Sequence, residues 1–226
     1  PQRLNVNGAP AQRENAHSGC QIGPDVLSFR ALNETRSGAG MAIRMHTKWN
    51  SGGSKTIEDR AGVVGFNIWK ISKETWIRME KEGFRAGEDK QLAAVITEMI
   101  AFLVQVSDRL VYGQLGEEER ARFINALGKH LAKTMQSNML DMFGPGDHAT
   151  PFIDTLNARA ADYAEFEFTD FSPSYGFLRY LGEKMSEAMA ATDNKWVIEH
   201  VIEIEAPEAM KPIRKLIGEV LGIKVA

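Results

Sequence analysis

Cysteine is almost missing from this chain of 226 residues, where Cys20 stands alone. One thiol cannot form an internal bridge, which excludes a disulfide-dense secreted scaffold. Cys20 sits in a polar, glycine-bearing stretch with nothing nearby to activate a thiolate, so it reads as incidental. Long hydrophobic runs are missing too. The longest, over Val95–Val106, is interrupted by Thr97, Glu98 and Gln105, short of the ~20 apolar residues that span a bilayer. With no basic-then-apolar leader at the start, the expectation is a cytoplasmic protein without a membrane partner.

The motifs of common chemistries are equally scarce. Di-iron helical proteins use Glu-x-x-His pairs on helices, but three residues before His130, His148 and His200 stand Leu127, Pro145 and Val197. The one match, Glu14 with His17, falls in a stretch without helical pattern. There is no His-Glu-x-x-His and no cysteine cluster, so no metal and no cofactor is expected. No Gly-x-Ser-x-Gly elbow is present. Gly144-Pro145-Gly146 lacks both the Lys-Ser/Thr of a phosphate-binding loop and the preceding strand of a dinucleotide fold.

Charge is present but unevenly spread. Residues 1–55 hold seven basic and three acidic side chains, a net +4, which leaves −7 for the remainder of a chain whose formal charge is −3. An acidic body does not attract phosphate backbones, so no nucleic-acid partner is expected. The basic stretch suits an acidic partner, which includes its own body. It is also rich in Gly, Pro, Asn and Ser without apolar periodicity, and is expected to be an irregular arm.

From Thr56 onward the pattern becomes helical. Residues 56–226 are expected to form a single all-α domain, an antiparallel helical bundle of about six to seven helices. The first helix is placed at 57–81, capped by Thr56 with Asp59 and ended by Gly83. A second, at 88–112, is apolar over so wide an arc that it belongs at the centre. A third spans 117–143, opening with Glu117, Glu118 and Glu119 at the positive end of its dipole. Thr150-Pro151 starts a fourth and Ser172-Pro173 a fifth. Asp193 can cap a sixth, whose Val201–Glu205 also fits a short strand. Pro207 is expected to break the chain, and a last helix runs to about Gly222, with Pro212 as a kink or its real start.

On the central helix Glu98 forms a narrow polar stripe with Gln105 and Asp108. Such a stripe either faces water or lines an interior cavity, where burial would suit Glu98 to proton transfer. With Arg109 and His130 these residues make up the ligand-binding candidates, and no catalytic residue can be named. Asp108-Arg109 also fits a structural ion pair, and His130 a structural imidazole. The acidic, aromatic stretch Tyr163–Tyr175 offers Phe166, Phe168, Phe171 and Tyr175 either as plugs for the end of the core or as docking anchors. Ten methionines, several on helix faces, serve as core filler or line an adaptable groove. The sequence thus favours a non-catalytic helical domain that acts through protein contacts, as a homo-oligomer or with a protein partner. The alternative is a small-molecule or metal-binding bundle, with or without enzymatic activity, around a polar cavity at Glu98.

Overall fold

The computed structural model describes residues 55–189 and 196–225, so the arm, Cys20, the Glu14–His17 pair and Asp193 lie outside it. The fold is all-α, with one two-stranded hairpin. The helices α1 (Ile57–Lys81), α2 (Asp89–Val111), α3 (Glu117–Phe143) and α4 (Ala149–Ala164) follow in order. The hairpin β1 (Phe168–Thr169) and β2 (Ser172–Pro173) precedes α5 (Tyr175–Met189). Last come α6 (Val197–His200), a π-helical segment over Val201–Glu205, and α7 (Ala206–Leu221).

Helix α1 begins and ends on local chemistry. The Thr56 amide donates to Asp59 Oδ2 at 3.1 Å, and the Asp59 amide donates to Thr56 Oγ1 at 3.1 Å. These two bonds satisfy donors that the first turn leaves open. At the other end Gly83 adopts φ 96°, and the amides of Gly83 and Phe84 close on the carbonyls of Glu80 and Met79. That left-handed closure favours glycine because it lacks a Cβ.

Helix α2 is buried from Val95 to Val111, apart from partial exposure at Ile96, Thr97 and Arg109. It touches α1, α3, α4, α5 and α7, and so forms the axis of the core. Pairings between α1 and α3 advance together, from Glu58 with Arg122 to Gly65 with His130. These two helices therefore run side by side in one direction, with α2 opposed to them. One apolar core, running from Ile57 to Val225, joins every helix.

Two expectations need correction. Ser172-Pro173 does not open a helix; it forms the second strand of the hairpin, paired as Phe168 with Pro173 and Thr169 with Ser172. Asp170 and Phe171 both have positive φ, 49° and 58°, as a tight two-residue hairpin turn requires. Ser174, not Ser172, caps α5, accepting from the Phe177 amide at 3.3 Å. Val201–Glu205 is a π-helix, and its burial settles the geometry: Val201 and Glu205 face inward while Ile204 is exposed. Pro207 does not break the chain. It occupies the first turn of α7 directly after the π segment, whose Ala206 amide reaches back to Val201. A widened turn of this kind accommodates a residue that has no amide to donate. Pro212 lies inside α7 and does not start it.

Candidate functional site

Helix α2 carries two buried carboxylates, and each meets a guanidinium from a neighbouring helix. Arg120, in the first turn of α3, donates from Nε to Asp108 Oδ1 at 2.7 Å and from Nη2 to Asp108 Oδ2 at 2.6 Å. Arg159, on α4, donates from Nε to Glu98 Oε2 and from Nη2 to Glu98 Oε1, both at 2.7 Å. Two-pronged pairs of this kind satisfy both carboxylate oxygens and set the register between helices. A third buried acid, Glu205 in the π segment, accepts from Arg78 Nη2 at 2.6 Å and lies 3.3 Å from His200 Nε2.

The polar stripe on α2 therefore does not face water. Glu98 is 7% exposed, Gln105 6% and Asp108 3%. Nor do the candidates form one site: Glu98 and Asp108 sit ten residues apart on a helix that rises ~1.5 Å per residue. Asp108 pairs with Arg120 and not with its neighbour Arg109. Arg109 donates instead to the Tyr163 carbonyl at 3.1 Å, and burial lowers its pKa. His130 packs against α1, where a Cβ on Gly65 would lie 2.7 Å from its ring. Burial, aided by Lys133, lowers the His130 pKa, as expected of a structural imidazole.

Around Glu98 the polar network extends to the surface. Arg159 Nη1 reaches Asp162 Oδ2 at 3.4 Å, and Tyr180 on α5 donates its hydroxyl to the same oxygen. The Glu98 hydrogen bonds raise the Arg159 pKa, while burial followed by the Asp162 hydrogen bond raises that of Tyr180. The network locks α2, α4 and α5 together, and Arg159 occupies both Glu98 oxygens.

Beside Glu98 opens a groove of about 360 Å³. Lys90, Ala93, Ala94, Thr97 and Glu98 of α2 form one wall. Met135, Met139 and Phe143 of α3 form another, and His148, Pro151, Phe152 and Thr155 close it from the start of α4. Gln136 shapes this end by accepting the amides of His148 and Ala149 at 2.7 and 2.8 Å, which holds α4 against α3. Asp147 serves the turn, accepting the Thr150 amide at 3.0 Å and its hydroxyl at 2.7 Å, and these bonds lower its pKa. Leu140, Met142 and Phe143 continue the apolar surface of α3 into solvent.

The aromatic candidates divide. Phe166 packs against Tyr163 and Tyr180, and Phe168 meets Phe177 edge-on at 5.7 Å. Phe171 also packs on the core. These three close the core beneath the hairpin, whereas Tyr175 is 66% exposed. Sequence reasoning missed Arg120, Arg159 and Gln136. Arg120 was hidden behind the acidic run before it. A signal for the arginines did exist, since buried carboxylates on a central helix require cations from its neighbours.

Among the described residues no helix is long and apolar enough to cross a membrane, and no group of three or more His, Cys, Asp or Glu is arranged to hold a metal ion. Comparison with protein-family models, curated protein sequences and solved structures gives no match. Among the described residues, fold and site define an all-α protein with three buried carboxylates paired to basic side chains and an apolar groove beside one of them.

Proposed function

We propose that this chain is a non-catalytic helical domain that acts through protein contacts, as a homo-oligomer or with a protein partner, and that the groove between α2, α3 and α4 is its contact surface. The observation that carries this reading is the apolar lining from Met135, Met139, Phe143 and Phe152, continued outward by exposed Leu140 and Met142. Methionine and phenylalanine at helical spacing suit an apolar helix face laid into a groove. The pairing of Glu98, Asp108 and Glu205 with arginines supports the non-catalytic half, because each acid already holds a structural ion pair to a neighbouring helix.

Native mass spectrometry of gently purified protein tests this reading, with Phe143→Asp as the variant. The wild type is expected in a defined oligomer or with a co-purified protein. Phe143→Asp is expected as a bare subunit with stability changed by less than ~0.5 kcal/mol, since the site is exposed. A wild type and variant in the same state would overturn the reading. The second reading, a small-molecule site, is favoured by Glu98 and His148 in the groove wall and by a volume at the low end of ligand pockets. A small added mass on each wild-type subunit would select it.

A further inference from the structure

We propose that Arg214 and Lys211 of α7, with the Ser172 hydroxyl of the hairpin, form a binding site for a phosphoryl group. The site shares no residue with the groove, so it stands without the reading of the groove as a contact surface.

A guanidinium drawn out of water needs an acceptor for its charge. Arg78, Arg109, Arg120 and Arg159 each donate to an oxygen at 2.6–3.1 Å. Arg214 does not. It is half-buried on α7, and its Nε is enclosed without an acceptor. Its Nη2 reaches only the neutral Ser172 Oγ, at 3.4 Å, longer than an ordinary hydrogen bond. Burial lowers the Arg214 pKa, and no carboxylate among the described residues lies near enough to offset it. The molecule thus holds a partly desolvated cation whose counter-charge it does not itself supply.

The spacing along α7 shows why. Residues three or four apart share a helix face, and at those spacings Arg214 has exposed Lys211 on one side and Gly218 on the other. The acids of α7, Glu208 and Glu219, lie roughly 120° and 140° around the helix from Arg214, and Glu219 faces Lys215 at 3.9 Å. Across from this flank stands the hairpin, where the left-handed turn at Asp170 and Phe171 brings Ser172 to α7. The enclosed Nε leaves the outer guanidinium nitrogens to a ligand, beside a second cation and a hydroxyl. A single carboxylate needs less, since Asp108 and Glu98 are each satisfied by one arginine. A phosphoryl group, with close to two negative charges and three acceptor oxygens, matches two cations and a hydroxyl together.

The test is arginine side-chain NMR on the full chain. Inorganic phosphate is added at about pH 8, where a phosphoryl group is doubly charged, with ionic strength held constant by chloride. The Nε–H signal of Arg214, assigned by its loss in Arg214→Lys, is expected to shift and saturate with a dissociation constant on the order of 1 mM. Lys211→Gln is expected to weaken binding about tenfold, the worth of one charge-assisted hydrogen bond, and to leave the melt unchanged because Lys211 is exposed. Glycerol 3-phosphate binding more tightly than phosphate would support the site and make its ligand an organic phosphate. Equal binding would support it with free phosphate as the ligand. Acetate binding as tightly as either would overturn the proposal, since the site would then not select a phosphoryl group. An Arg214 signal that stays still, or one that drifts without saturation along with every other arginine, would overturn it too.

Discussion

The two halves of α2 run through the same core and end differently. Its C-terminal half is sealed. Phe102 lies under Tyr163 and Phe177, the hairpin closes over them, and Asp108 is held by Arg120. Its N-terminal half is left ajar, with Ala93, Ala94 and Thr97 half-buried along a groove walled by methionine and phenylalanine. Burial against aromatic neighbours stabilises the first half. Small residues on the second leave space that a neighbouring helix does not fill. One core thus turns its apolar surface inward along the first half and leaves some of it open along the second.

The largest expected effect tests the sealed half. Arg120→Ala strands a carboxylate that is 3% exposed, and urea denaturation should show a loss of about 3–5 kcal/mol. Arg159→Ala is expected to cost less, about 1–3 kcal/mol, because its pair lies nearer water and Asp162 shares it. Equal losses would erase the contrast between the halves. Gly182→Ala probes the packing of α5 on α6, where an added Cβ would lie 3.1 Å from the Ile198 backbone. Backbone cannot rotate away as a side chain does, so a loss of about 1–3 kcal/mol is expected in the same assay.

A further effect depends on pH. Burial holds the folded pKa of His130 below its ordinary value of 6.5. The unfolded chain therefore binds this proton first. The stabilising contribution is present above about pH 6.5 and is lost as the pH falls from there toward the lowered folded value. Thermal melts of His130→Gln should show a smaller difference between pH 7.5 and pH 5.5 than the wild type; an unchanged difference would place the titrating group elsewhere. The smallest effect belongs to the hairpin that seals the core. Asp170 holds φ 49°, and Asp170→Gly is expected to gain ~0.5–1 kcal/mol by relieving the left-handed backbone. A loss would show that the aspartate side chain itself supports the turn.

Most of the helices were legible in the sequence. Apolar spacing and caps located α1 and α3 to their terminal residues and α2 to within one at each end. Those signals are local: an N-cap, a left-handed glycine and an apolar stripe act over one or two turns. The hairpin was not legible, because Ser-Pro is an equally good helix start and positive φ at Asp170 and Phe171 leaves no compositional mark. The π segment was not legible because its alternating Val201-Ile202-Glu203-Ile204-Glu205 resembles a strand until the inward faces of Val201 and Glu205 are known. The site was half legible. Glu98 and Asp108 stood out as acids on an apolar helix, but their meaning depended on partners 61 and 12 residues away.

The sequence by itself determined the fold class, the central place of α2 and the ends of its long helices, since periodicity and capping are properties of short stretches of chain. Only the tertiary structure decided what the polar stripe of α2 does. Whether a carboxylate on an apolar helix meets water, a ligand or a guanidinium depends on which helices arrive beside it. Here Arg120 and Arg159 arrive and pair with its two carboxylates, and an apolar groove opens beside Glu98.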